Sequence, residues 1–192
     1  MKIAIINGSP RANGATGTLL REAARHLGQK DGTDVTLVDL GSLSMRLCAG
    51  CTACYRTGCC AIDDGLEDLA AHAKAADGLV VGSPTYGSNV SGHLKNFMDR
   101  GHFIMEQGLY DKHCFSLATY EIADGGAALR AIDKFFLVSG GARAGRLLVK
   151  ARLGANPLGG SARGRATAQE ARPLSRSASP EEAPQPLRTC LQ

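Results

Sequence analysis

A parallel-sheet α/β domain is the fold class this 192-residue chain predicts, and three observations predict it. Short apolar runs at 2–6 and 79–81 each close on the same turn signal, Gly8-Ser9-Pro10 and Gly82-Ser83-Pro84. Between such runs apolar residues return at helical spacing, so strand and helix alternate. The composition, 44% hydrophobic and 21% charged, belongs to a chain with a packed core rather than a disordered or membrane-embedded one.

Each element has its own signal. Residues 2–6, continuously apolar after Lys2, show the pattern of a strand buried on both faces. Leu19, Leu20, Ala23, Ala24 and Leu27 then mark a helix face, with Gly28 as the stop. Val35 to Leu40 reads as a second strand, and 41–62 is too rich in Gly and Cys to be regular. Asp64 with Glu67 three residues on resembles a capping arrangement for a helix carrying Leu66, Leu69, Ala70 and Ala73. Leu79 to Val81 is the third strand, and Val90, Leu94, Phe97 and Met98 share a helix side. Phe115 to Thr119 is the fourth strand, Leu129, Ile132 and Phe136 define a helix closing near Gly140, and Arg146 to Lys150 is the fifth strand.

The domain is expected to span 1–155. Five of the seven prolines follow residue 150, aromatics vanish, and Arg, Ser, Ala and Gly take over. Residues 156–192 are therefore expected to be a low-complexity tail that buries too little apolar surface to order itself, apart from a turn or two of helix at Ala166 to Ala171.

Charge and hydropathy exclude several functions. Residues 1–150 carry 16 Lys and Arg against 15 Asp and Glu, so the net +4 comes largely from the tail, and no basic surface interleaved with aromatics points to nucleic acid. No apolar run is long enough for a membrane span, and the start is too briefly apolar for a secretory signal. A cytoplasmic location is the expectation.

The loop from Gly8 to Thr18 is suited to an anion. Its glycines let backbone N–H groups approach closely, its hydroxyls donate, and it leads into a helix N-terminus at the carboxyl edge of the sheet. It lacks both the Gly-Lys-Ser/Thr of a Walker loop and Gly-x-Gly-x-x-Gly, which disfavours nucleotide hydrolysis. Loops after the third and fourth strands, 83–89 and 119–126, fall on the same edge and offer flat contacts.

Five of the seven cysteines crowd into thirteen residues: Cys48, Cys51, Cys54, Cys59 and Cys60. That density belongs to metal or redox chemistry rather than to a disulfide framework. Two Cys-x2-Cys steps sharing a cysteine favour wrapping a [4Fe-4S] cluster, with Cys59 or Cys60 as the fourth ligand; an empty thiol loop and zinc are the alternatives. His72, His93, His102 and His113 have no metal-like spacing.

The residues Gly8-Ser9-Pro10-Arg11, Asn13-Gly14 and Thr16, then Ser83-Pro84-Thr85-Tyr86 with Gly92, Lys95 and Asp99-Arg100, resemble the NAD(P)H-dependent FMN reductase family, and the cysteine stretch resembles its iron-sulfur flavoprotein branch. The resemblance implies a flavodoxin-like three-layer sandwich with a five-stranded parallel sheet in the order 2-1-3-4-5. It implies FMN, its phosphate held by Ser9, Arg11, Asn13, Thr16, Gly17 and Thr18 and its ring against Pro84, Thr85, Tyr86, Gly87 and Ser88. The loop bearing Thr119, Tyr120, Gly125 and Gly126 would close the other side. Aligned with the family's Gly-x-Cys ending, Cys60 completes a cluster set with Cys48, Cys51 and Cys54. The implied activity is an oxidoreductase taking electrons from NAD(P)H to a quinone, a small acceptor or the Fe-S centre, as a homodimer or higher; because the cofactor would carry the chemistry, no side-chain acid or base is named. An electron carrier between protein partners is the alternative, and a zinc or thiol sensor is the third.

Overall fold

The computed structural model describes residues 1–152 and 157–158. The expectations for Ala166 to Ala171 and for nearly all of the tail lie outside the described residues. Five parallel strands, β1 (Lys2–Asn7), β2 (Asp34–Asp39), β3 (Gly78–Pro84), β4 (His113–Tyr120) and β5 (Ala142–Lys150), form one sheet in the order 2-1-3-4-5. The helices are α1 (Ala15–Gly28), α2 (Ala53–Thr57), α3 (Leu66–Ala75), α4 (Gly92–Gly101) and α5 (Gly125–Val138).

The pleat decides the layers. Successive strand side chains point to opposite faces, so Ile5 packs with Leu20 of α1 and Leu117, while Ala4 and Ile6 join Leu66, Phe97 and Ile132 of α3, α4 and α5. β3 follows the same rule, with Val80 on the α1 side and Leu79 and Val81 on the other. Right-handed crossovers explain the split: β1 to β2 runs one way along the sheet, and the later connections run the opposite way.

Two local expectations are corrected. The segment 41–62 is not wholly irregular, since it contains α2 between left-handed residues Thr52 and Gly58. Asp64 and Glu67 do not form a cap, because Gly65 occupies the N-cap position of α3 in a left-handed conformation with no side-chain bond. Their carboxylates are drawn instead toward the cysteine segment, where backbone N–H groups and a guanidinium compete for them. Among the described residues no helix is long and apolar enough to cross a membrane.

Candidate functional site

All five strands run in parallel, so the loops leaving their carboxyl ends collect at one rim, and there they enclose a cavity of about 1150 Å³. Its floor is the turn into α1. Gly14 caps that helix without a side-chain bond and the first turn holds no acid, which leaves the first amides of α1 and the positive end of its dipole open to an anion. Arg11, Asn13 and Thr18 line the same cavity, and their side chains have no hydrogen-bond partner among the described residues.

Ser9 and Thr16 line the cavity too, but their hydroxyls are engaged. The Ser9 hydroxyl donates to the Arg11 carbonyl and accepts from the Arg11 amide, shaping the loop from within. Thr16 shares a 2.7 Å hydroxyl bond with Thr119, tying the first loop to the end of β4.

One wall is a miniature hairpin. Tyr86 and Asn89 exchange backbone bonds of 2.9 and 3.0 Å around Gly87 and Ser88, both at positive φ, which is the two-residue turn whose twist suits paired strands. The Thr85 amide donates to the Thr119 carbonyl at 2.7 Å, and the Ser88 hydroxyl donates to the Asp124 carboxylate at 2.7 Å, so the second and third loops are bonded to each other. Thr85 lines the cavity, and its Oγ1 is buried with no hydrogen-bond partner among the described residues.

Three anticipated contact residues do not line the cavity: Gly17, Gly125 and Gly126. Gly17 is buried beneath the loop, where a Cβ would stand 1.8 Å from the Ala12 carbonyl oxygen. Gly125 is pressed against Tyr120 and Leu148, with 2.4 and 2.6 Å to an added Cβ, and Gly126 lies in the first turn of α5 beside Arg130. These glycines permit close packing behind the site. Ala151, Arg152 and Pro157 line the mouth and were not anticipated. Their signal was position, since they follow β5 and leave the sheet at the same rim.

The cysteines gather elsewhere. Cys48, Cys51, Cys54 and Cys60, all free thiols, line a second cavity of about 680 Å³ with Asn89, Met98, Phe103 and Phe135 among its other walls. Its organiser is Arg100, a buried charge with only 1% of its surface exposed. The guanidinium forks onto Asp64 at 2.7 and 2.8 Å and donates to the carbonyls of Arg46 and Ile62 and to Cys60 Sγ at 3.3 Å. It thereby holds both shoulders of the cysteine segment. Glu67 accepts the Cys60 amide at 2.6 Å, and Asn96 accepts the Cys48 amide at 3.2 Å. The Arg100 guanidinium beside Asp64 holds that carboxyl below the usual carboxylate range, and the same carboxylate raises the guanidinium's own pKa.

The residues fit the two groups differently. A cavity of about 1150 Å³ with an uncapped helix start and the unpartnered side chains of Arg11, Asn13 and Thr18 suits a phosphorylated aromatic ligand. The four-thiol donor set suits an iron-sulfur cluster chemically. Among the described residues no three His, Cys, Asp or Glu side chains converge on one metal ion. A [4Fe-4S] cluster held by four thiolates would take each on a different iron, so that test for a single ion does not bear on it.

A sequence model described as NADPH-dependent FMN reductase matches residues 1–150. An iron-sulfur flavoprotein of Clostridioides difficile is 38% identical over 160 residues, 82% of this chain and 71% of that protein. Another, from Methanocaldococcus jannaschii, is 38% identical over 100 residues, 52% of this chain, and the match spans about half of that relative, 51%. A WrbA-like flavodoxin structure from Agrobacterium tumefaciens superposes with a TM-score of 0.57 at 16% identity, covering 79% of this chain and 84% of the other. That likeness bears on the fold, which is flavodoxin-like.

Proposed function

Because the chain belongs to the NADPH-dependent FMN reductase family, on its iron-sulfur flavoprotein branch, we propose that it is an FMN-dependent oxidoreductase which takes electrons from a reduced nicotinamide and passes them to a quinone, a small acceptor or an iron-sulfur centre on its cysteine segment. One observation carries the reading: an uncapped helix start, free of acids, opens into a cavity whose other walls are two loops bonded to each other.

Bound FMN would supply the hydride and electron chemistry. The protein's part is orientation. The amides of the first turn of α1, with Arg11, Asn13 and Thr18, would hold the phosphate, and Arg11 adds a fixed cation beside it. Pro84 to Ser88 would lie along the ring, and Thr119 to Asp124 would border its other edge. No side chain is assigned a proton-transfer role.

The full chain, purified without oxygen, is expected to be yellow or to take up FMN, and to bleach on addition of NADPH or NADH. A colourless protein whose spectrum and stability are indifferent to FMN would overturn the reading.

The placement of four free thiols around one cavity favours a second reading, an electron carrier between protein partners. Anaerobic reconstitution followed by iron and sulfide analysis tests it. Carrier function predicts a loaded cluster and reduction by a low-potential donor but not by NADH or NADPH. A chain that binds no iron under those conditions excludes it.

A further inference from the structure

We infer that Asp39 and Arg21, neither of which lines the flavin cavity, are positioning residues for its phosphate loop, and this rests on the FMN reading above. Asp39 is the last residue of β2, an edge strand, and Arg21 lies in the second turn of α1. The Asp39 carboxylate is divided between two arms. Its Oδ1 accepts from Asn7 Nδ2 at 2.6 Å, and the Oδ1 of that buried Asn7 amide accepts the Ser9 N–H at 3.0 Å. Its Oδ2 accepts from Arg21 Nη2 at 2.6 Å, and Arg21 Nη1 donates to the Ala12 carbonyl. One carboxylate therefore anchors the loop at its entrance and at its crest.

The second arm has an electrostatic consequence. In a trans peptide the carbonyl of one residue and the N–H of the next point in opposite directions. Drawing the Ala12 carbonyl back onto Arg21 and into the space left by Gly17 turns a repulsive oxygen away from the anion and aims the Asn13 amide the other way, toward the cavity that Ala12 and Asn13 line. A guanidinium can do this because its fork serves Asp39 and Ala12 at once; an ammonium on a lysine stem lacks that fixed geometry. Gly41 adds a steric guide, since a Cβ there would meet the Ser9 and Pro10 backbone within 2.9 Å.

The experiment compares FMN with riboflavin, which carries the same ring without the phosphate. Affinities for both are measured by flavin fluorescence in the full chain and in Asp39→Asn, Arg21→Gln and Arg21→Lys variants, with circular dichroism alongside. Losing a charge-assisted tether is expected to weaken FMN about 10- to 100-fold while riboflavin changes by less than about 2-fold. Arg21→Lys is expected to resemble Arg21→Gln. An unchanged FMN-to-riboflavin affinity ratio in all three variants would overturn the assignment. So would parallel loss of both ligands, which would make the pair a prop for the sheet edge. Equal affinity for the two flavins in the unmodified chain would instead sink the reading of the loop as a phosphate site.

Discussion

Arg100 is the side chain whose surroundings matter most. A buried guanidinium is tolerated only with its partners in place, and removing one leaves an uncompensated charge. Asp64→Ala is expected to cost about 3–5 kcal/mol, read as a lower urea midpoint, and Arg100→Met on that background to recover part of the loss. The pH dependence follows from the depressed Asp64 pKa, caused first by the Arg100 hydrogen bonds. The carboxylate binds its proton less readily when folded than when unfolded. Its stabilisation is therefore complete above the unfolded pKa, about 4, and drains away as pH falls through the lower folded value. Asp64→Asn should flatten that part of the acid-unfolding curve. Gly17→Ala tests steric crowding instead: with 1.8 Å to the Ala12 oxygen the loop must shift, and FMN affinity should drop more than about 10-fold with the far-ultraviolet spectrum preserved. None of this partner choice was legible in the sequence. Asp64 and Glu67 have cap spacing, and only the fold brings a distant arginine and the Cys60 amide within their reach.

At the scale of elements, the hairpin from Tyr86 to Asn89 carries two residues in the left-handed region, one of them the non-glycine Ser88. That conformation is disfavoured for an L residue, and the bond from Ser88 to Asp124 helps to hold it. Ser88→Ala should leave global stability within about 0.5 kcal/mol, since the bond is exposed, yet speed FMN dissociation by about 2- to 10-fold. Release into excess apoflavodoxin or by rapid dilution, followed by fluorescence, measures it. Strand positions were readable because buried parallel strands are short apolar runs. Their ends were less so: β5 begins at Ala142, where Ala142, Arg143 and Ala144 give no apolar signal and pairing with β4 supplies the strand. Gly28 looked like a stop and is the last residue of α1, with Gln29 as its cap.

Across the whole molecule, a ligand that binds only the folded state must stabilise it. FMN at 100 times its dissociation constant should raise unfolding free energy by about 2.7 kcal/mol, seen as a higher Tm, and riboflavin should do less at equal concentration. The clustering of three loops at one rim could be anticipated once strand and helix were seen to alternate, because a parallel sheet delivers its loops to one edge. Twelve of the anticipated contact residues, Ser9 through Tyr120, line the resulting cavity, while Gly17, Gly125 and Gly126 do not, and close packing calls for a missing Cβ as much as contact does. Two chambers, however, share a partition: residues 85–88 line the rim cavity and Asn89 lines the thiol cavity. If an occupant of one chamber shifts this septum, thermodynamic reciprocity makes the influence equal in both directions. Loading one chamber while titrating the other would therefore weigh the septum's stiffness directly.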